Sequence, residues 1–368
     1  MPPAAMPGVG EEEEQQTKQG GPALEGLVVG SYCHDVLLRG GRVVGETLGG
    51  AAAFVSTVLD AASPPGASFS VVSKVGPDFA YASAPAPARH PPLLCPAPTT
   101  SFHARFSAAA AHDAPDRQLS RVHACDPIYP DDLPDRRFAY GLAVGVAGEV
   151  LPETLDRMVR LCRAVLVDAQ ALIRVFDAAA GGGGGAAVRH VALEGTPYAP
   201  LLQRVAFLKA SSEEAPYIGV ETARRRCCVI VTEGKEGCRL YWDGGEARVA
   251  PFSAVQVDPT GAGDSYLAGF AAGLLWGLSA TDAALIGNFF GAAAVSQIGV
   301  PTFHPEMLQA VKKILEDKAI QRSSPCINGA MFTFQRSITH DELHASLEEA
   351  ARLMCEQKQT DPATNNCD

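Results

Sequence analysis

The stretch VQVDPTGAGDSYLAGFA, Val255 to Ala271, reads as a strand running into a glycine loop and then into a long apolar helix. Gly261 and Gly263 carry no β-carbon, so the chain can turn tightly there. The free amides of Gly261, Ala262, Gly263 and Asp264 can then aim at one point on the positive end of the helix. A transferring phosphoryl group fits that point. Asp264, at the mouth of the amide cluster, is placed to accept a proton from an attacking hydroxyl while the amides stabilise charge on the phosphoryl oxygens. An N-cap aspartate after a glycine turn explains the same residues structurally.

Outward from this stretch the chain alternates. GLVVGSY (Gly26 to Tyr32), FSVVSKVG (Phe69 to Gly76), FAYGLAVG (Phe138 to Gly145), AVLVDA (Ala164 to Ala169), VAFLKA (Val205 to Ala210) and CCVIVTEG (Cys227 to Gly234) read as buried strands. Helices are expected over Gly50 to Ala62, near Glu153 to Arg163 and from Glu213. Such alternation predicts an α/β fold, a Rossmann-like parallel sheet sandwiched by helices, with ligands at the carboxyl ends of the strands. Val36 to Glu46 and Thr99 to Ala124 break the rhythm; their polar alternation predicts antiparallel strands forming a small β lid. Gly181 to Gly185 lacks a following Lys-Ser or Lys-Thr and reads as a surface loop.

The 368 residues carry 30 Lys and Arg against 41 Asp and Glu, a net charge of -11 that argues against nucleic acid as a partner. Residues 1–24, with the acidic run Glu11 to Glu14, read as a disordered tail, neither a secretory leader nor a transit peptide. Ten cysteines without a C-x-x-C pair fit reduced thiols in a cytoplasmic protein. Ser265 to Thr281 and Ala283 to Phe303 are uncharged, but polar residues interrupt them; paired core helices are expected rather than membrane spans. Residues 25–318 form the expected domain and 319–368 an extension. Within that extension Asp341 to Gln357 has helical periodicity, with Leu343, Leu347, Ala350, Ala351 and Met354 on one side.

The fourteen residues Asp258 to Ala271 resemble the second signature of the PfkB-type, ribokinase-like carbohydrate kinases, and the resemblance runs from about Leu27 to about Lys318. It implies a ribokinase-like fold and transfer from ATP, with Mg2+, to a hydroxyl of a small polyol, by a monomer or homodimer. Asp264 would be the catalytic base, and the Gly261, Ala262 and Gly263 amides the anion hole. In GSYCHDVLL, Asp35 stands where the family holds substrate hydroxyls; a carboxylate can accept from two neighbours at once, while a turn-stabilising Asp is the structural alternative. Gly49 and Gly50 match the family's Gly-Gly hinge, and Phe54 stands where many members have a substrate-contacting Asn. In LKASSEEA, Glu214 matches the acidic residue that organises magnesium and phosphate, with Ser211 replacing an Asn; Glu213 and Glu214 equally suit a helix's first turn.

The same resemblance assigns Thr232, Gly234 and Gly237 to the donor's phosphates and ribose. It sets Asn288 and Gly291, with Ala294, beside adenine, where tight helix packing is the other explanation. Asp168, Gln170 and Arg174 fall near the cleft, without an assigned role. YCHDV, LGGAAAF and VTEGKEGCRLYW together most resemble members acting on a cyclic polyol. A sibling kinase for fructose, ribose or adenosine, and a family member that has lost catalysis and regulates, remain open. HDELH (His340 to His344) has its Glu misplaced for a zinc-protease helix, and no Walker A or dinucleotide fingerprint follows a strand.

Overall fold

The computed structural model describes residues 24–106, 117–177, 185–320 and 332–358. The leading tail, most of the five-glycine run and the last ten residues lie outside the described residues.

Eight strands form the central sheet, in the order Gly245–Val249, Cys238–Trp242, Cys228–Thr232, Phe207–Ser211, Cys162–Asp168, Phe138–Ala143, Glu25–Val29 and Ser68–Val72. The last six run parallel, and the first two close one edge as an antiparallel hairpin. Apolar side chains on alternate positions feed two cores. Val28, Leu142, Leu166 and Ile230 pack under the helices Ala51–Ala62, Ala262–Leu275, Ala280–Val295, Pro305–Ile320 and His340–Lys358. Leu27, Val29, Val165 and Val229 pack under the helix Pro152–Leu161 and the single turns Ala215–Ile218 and Val220–Ala223. A parallel sheet covered on both faces explains why its strands read as unbroken apolar runs. The fold is therefore the expected α/β sandwich.

The two uncharged stretches are the buried helices Ala262–Leu275 and Ala280–Val295. Ser279 caps the second by accepting from the Asp282 amide, and Trp276 Nε1 donates to Ala62 O at 2.8 Å, binding this pair to the first helix. No helix among the described residues is long and apolar enough to cross a membrane. The helix His340–Lys358 docks through Leu343, Leu347 and Ala350, and its buried His340 pairs with Asp282 at 2.7 Å.

A second sheet of six strands runs in the order Arg174–Asp177, Ala186–His190, Arg117–His123, Ser101–Phe106, Cys33–Arg39, Arg42–Gly49. Both polar alternating segments join it as the antiparallel pairs expected, Cys33–Arg39 with Arg42–Gly49 and Ser101–Phe106 with Arg117–His123, while the two pairs meet through a parallel pairing of Cys33–Arg39 with Ser101–Phe106. The strands Arg174–Asp177 and Ala186–His190 have no counterpart in the sequence expectation, because Ala- and Gly-rich flanks obscure their short alternation. Two further expectations change. The helix from Glu213 is two single turns broken at Gly219, whose φ is 61°. No strand precedes the glycine loop: Val255 and Val257 are exposed, in irregular chain.

Candidate active site

Asp264 sits in the first turn of the Ala262–Leu275 helix, with Gly261 as its N-cap at φ 74°. A side chain at Gly261 would be strained and would enter the ring of Phe54, so Phe54 buttresses the loop as well as facing the cavity. The first amides of a helix lack intrahelical acceptors, so those of Gly263 and Asp264 are available at its positive end, while the Ala262 amide donates to Pro259 O at 3.4 Å. Gln170 Nε2 donates to Asp264 Oδ1 at 3.1 Å. Burial, with repulsion from Asp168, pushes the Asp264 carboxyl up to about 7, against the pull of Lys209, Arg174 and Gln170. A carboxyl held there accepts and releases a proton near neutrality.

Beneath it lies a buried ion pair that the sequence expectation lacked. Lys209 Nζ donates to Asp168 Oδ2 at 2.9 Å, both side chains being almost fully enclosed. Burial works against the ammonium's charge, but the carboxylates of Asp168, Glu214 and Asp264 outweigh it and hold the Lys209 pKa above its ordinary value. Gly263 is a glycine because of this ammonium: its β-carbon would collide with Lys209 Nζ, and its backbone is ordinary helix rather than the tight turn expected.

Glu214 and Ser211 cap one another: the Ser211 amide donates to Glu214 Oε2 at 2.9 Å and the Glu214 amide to Ser211 Oγ at 3.2 Å. Arg174 donates to the other oxygen at 3.4 Å. Burial is overcome by Lys209, Arg174 and the Ser211 bonds, which keep Glu214 below the usual carboxylate range. Arg174 Nε and His190 Nε2, both beside Glu214, are buried without a hydrogen-bond partner.

Two cavities meet at the helix N-terminus. The first, of about 440 Å³, is lined by Asp35, Gly50, Phe54, Phe102, Arg174, Lys209, Glu214 and Asp264. Asp35 comes from the strand Cys33–Arg39, and its carboxylate lies over Gly49, whose β-carbon would strike it. Gly49 therefore acts beneath Asp35, not in the cavity wall. The second, of about 540 Å³, is lined by Gly237, Phe252, Tyr266, Asn288, Gly291 and Glu348. Thr232, Gly234, Ala262 and Gly263 line both. Asn288 Nδ2 donates to Ala250 O at 2.7 Å, so this amide holds the wall rather than pointing free. Gly291 lines the same cavity, and a β-carbon there would make only ordinary contact with Ala262 O, so its place is cavity lining rather than a packing demand.

The C-terminal helix completes that wall. His344 Nε2 lies 3.1 Å from Pro251 O, and the His344 ring lies 4.7 Å from Phe252. A lone Lys in the apolar strand VAFLKA was the legible signal for Lys209, since an unpaired buried Lys is rare. No comparable signal marked Phe252, His344 or Glu348, which only tertiary packing brings to the cavity.

The sequence pattern of the pfkB family carbohydrate kinases matches residues 219–307. The inositol 3-kinase of Oryza sativa subsp. japonica is 79% identical, aligning with 100% of this chain and 95% of its own length. The inositol 3-kinase of Zea mays is 74% identical over 100% of this chain and 98% of its own. Among solved structures, a pyrophosphate-dependent kinase in the ribokinase family complexed with a pyrophosphate analog and myo-inositol superposes with a TM-score of 0.61. That alignment has 17% identity and covers 75% of this chain and 97% of that one, a likeness of fold.

Proposed function

This chain belongs to the pfkB family of carbohydrate kinases, and from that premise we propose that it transfers the terminal phosphoryl group of ATP to myo-inositol, giving inositol 3-phosphate and ADP. The observation that carries the proposal is the meeting of two cavities, of about 440 and 540 Å³, at the helix bearing Asp264. The acceptor hydroxyl gives its proton to Asp264 as its oxygen bonds to phosphorus, and the bond to the ADP oxygen breaks. The Gly261 and Gly263 amides, with Lys209 and Arg174, face the charge on the moving group. The buried Arg174 Nε, without a partner in this structure, suits a phosphoryl oxygen.

Glu214 is kept ionised by its cationic neighbours, so it fits a magnesium ion carried by the donor's phosphates. A bound magnesium ion supplies neutralisation of phosphate charge. Phe54 and Phe102 present apolar surface to the polyol's C-H groups, while Asp35 accepts from its hydroxyls. A cytoplasmic location and a place in phytate synthesis belong to the same proposal. ADP release measured with myo-inositol, fructose, ribose and adenosine tests it, together with NMR of the product. The highest kcat/KM is expected for myo-inositol; a tenfold higher value for another acceptor would overturn the inositol assignment.

Replacing Asp35 with Ala should weaken polyol binding by about 1.5–3 kcal/mol, the range for hydrogen bonds to a charged group. Calorimetric titration should show the nucleotide Kd almost unchanged; an equal loss for both ligands would count against Asp35 as a polyol contact. His344→Ala should raise the donor KM about fivefold, roughly the loss of one hydrogen bond supporting Pro251, and leave the polyol KM alone. A Gln at 344, which retains a donor, should restore most of that loss. Equal effects on both KM values would show only general destabilisation.

A further inference from the structure

The thiols of Cys95 and Cys125 lie outside both cavities, yet their sulfurs stand 3.0 Å apart. Cys95 is partly exposed and Cys125 is buried. Their position in the chain is specific. Cys95 follows the short strand Leu93–Leu94 and begins the segment that crosses from the body into Ser101–Phe106 of the six-stranded sheet. Cys125 follows Arg117–His123 on the way back, just before Ile128 bridges to Val150 in the body. The two thiols therefore face each other across the entering and leaving crossings.

Both crossings are anchored by their backbones. The Cys95 amide donates to Val75 O at 3.0 Å, the Cys125 amide to Thr100 Oγ1 at 3.0 Å, and Lys74 Nζ to Pro127 O at 2.9 Å. The strand entered from Cys95 pairs Phe102 with Asp35. A restraint between the crossings thus reaches the carboxylate proposed to hold the acceptor through one strand pairing.

We propose that Cys95 and Cys125 form a thiol–disulfide exchange site for small disulfides of the glutathione type, closing a bond that ties the two crossings together. The Cys95 thiolate attacks one sulfur of the disulfide, forming a mixed disulfide and releasing one glutathione thiolate. The Cys125 sulfur then attacks Cys95 Sγ, the mixed bond breaks, and the second glutathione leaves as a thiolate. Two protein thiols are oxidised, one small disulfide is reduced, and the two protons pass to the departing thiolates. Burial, with the neighbouring Cys95, pushes the Cys125 thiol up to about 12, so Cys95 is the entry point and Cys125 the resolving partner. Fixing both crossings restrains the sheet that carries Asp35, and a restraint on segments that flank a substrate site changes kcat and KM together.

The test treats the full-length protein with oxidised glutathione at about pH 8 and digests it without reduction. A peptide linking Cys95 to Cys125 is expected, with a fall of about fivefold or more in kcat/KM for myo-inositol that dithiothreitol reverses. Cys95→Ser and Cys125→Ser should each keep untreated activity and lose the sensitivity. A persistent glutathione adduct on Cys95, or no linked peptide, would overturn the exchange site. A linked peptide with unchanged kcat/KM would overturn its effect on the sheet that carries Asp35. The peptide is read independently of turnover, so loss of the inositol assignment and loss of this site are separate outcomes.

Discussion

Asp264→Asn is expected to lower kcat by about 10²- to 10⁴-fold, the usual worth of a positioned general base, while the fold and the donor Kd are retained. An amide still accepts from Gln170 but cannot take the hydroxyl proton. The carboxyl's raised pKa adds two pH signatures. Wild-type kcat/KM should climb through about 7, where the carboxyl ionises, and level off above it. Stability runs the other way. The folded pKa of about 7 lies above the ordinary value of 3.8 that holds in the unfolded chain, so the folded state binds more protons between these limits. The contribution of Asp264 is complete below that window and is lost as pH rises through it. Asn, which never ionises there, should therefore raise the melting temperature relative to wild type, more at about pH 8 than at about pH 5. Near-wild-type turnover, or a pH-independent melting difference, would remove Asp264 from the role of buried base.

The parts of this molecule that sequence displays are those governed by local rules. Leu27 to Val29, Val165 to Val167 and Val229 to Val231 are continuous apolar runs because both faces of their sheet are covered, and the rhythm of strands and helices follows. The anion loop was legible because glycine at 261 answers a backbone demand, φ 74°. Gly263 and Gly49 were equally visible as letters, but their reasons were not. One makes room for Lys209 and the other for Asp35, contacts between residues distant in sequence. The same limit hid the strands Arg174–Asp177 and Ala186–His190, whose alternation is too short to stand out beside alanines and glycines. It also hid the wall of the second cavity, since nothing local to HDELH shows that His344 meets Pro251 and Phe252. Val255 to Val257 failed in the opposite sense: two valines alternating with Gln256 resemble a strand, yet without a neighbouring strand to pair with the segment remains exposed chain.

Lys209→Met should be the most damaging single change to stability, although Met nearly matches the length of the lost side chain. It leaves Asp168 fully buried without its 2.9 Å partner, and breaking a buried pair from one side costs about 3–5 kcal/mol. The loss should be greatest at alkaline pH. A lone buried carboxyl has a raised folded pKa, so protonation relieves the penalty in acid and its removal restores it as pH rises. Asp168→Asn in the Lys209→Met background should recover much of the stability, because replacing both partners removes the uncompensated charge. Activity should not recover with it, since the ammonium beside Gly263 no longer faces the phosphoryl group. Denaturant unfolding at two pH values gives the first quantity and steady-state kinetics the second. Recovery of both in the double variant would make the pair purely structural; recovery of neither would mean that Lys209 stabilises the site through Glu214 and Asp264 rather than through Asp168.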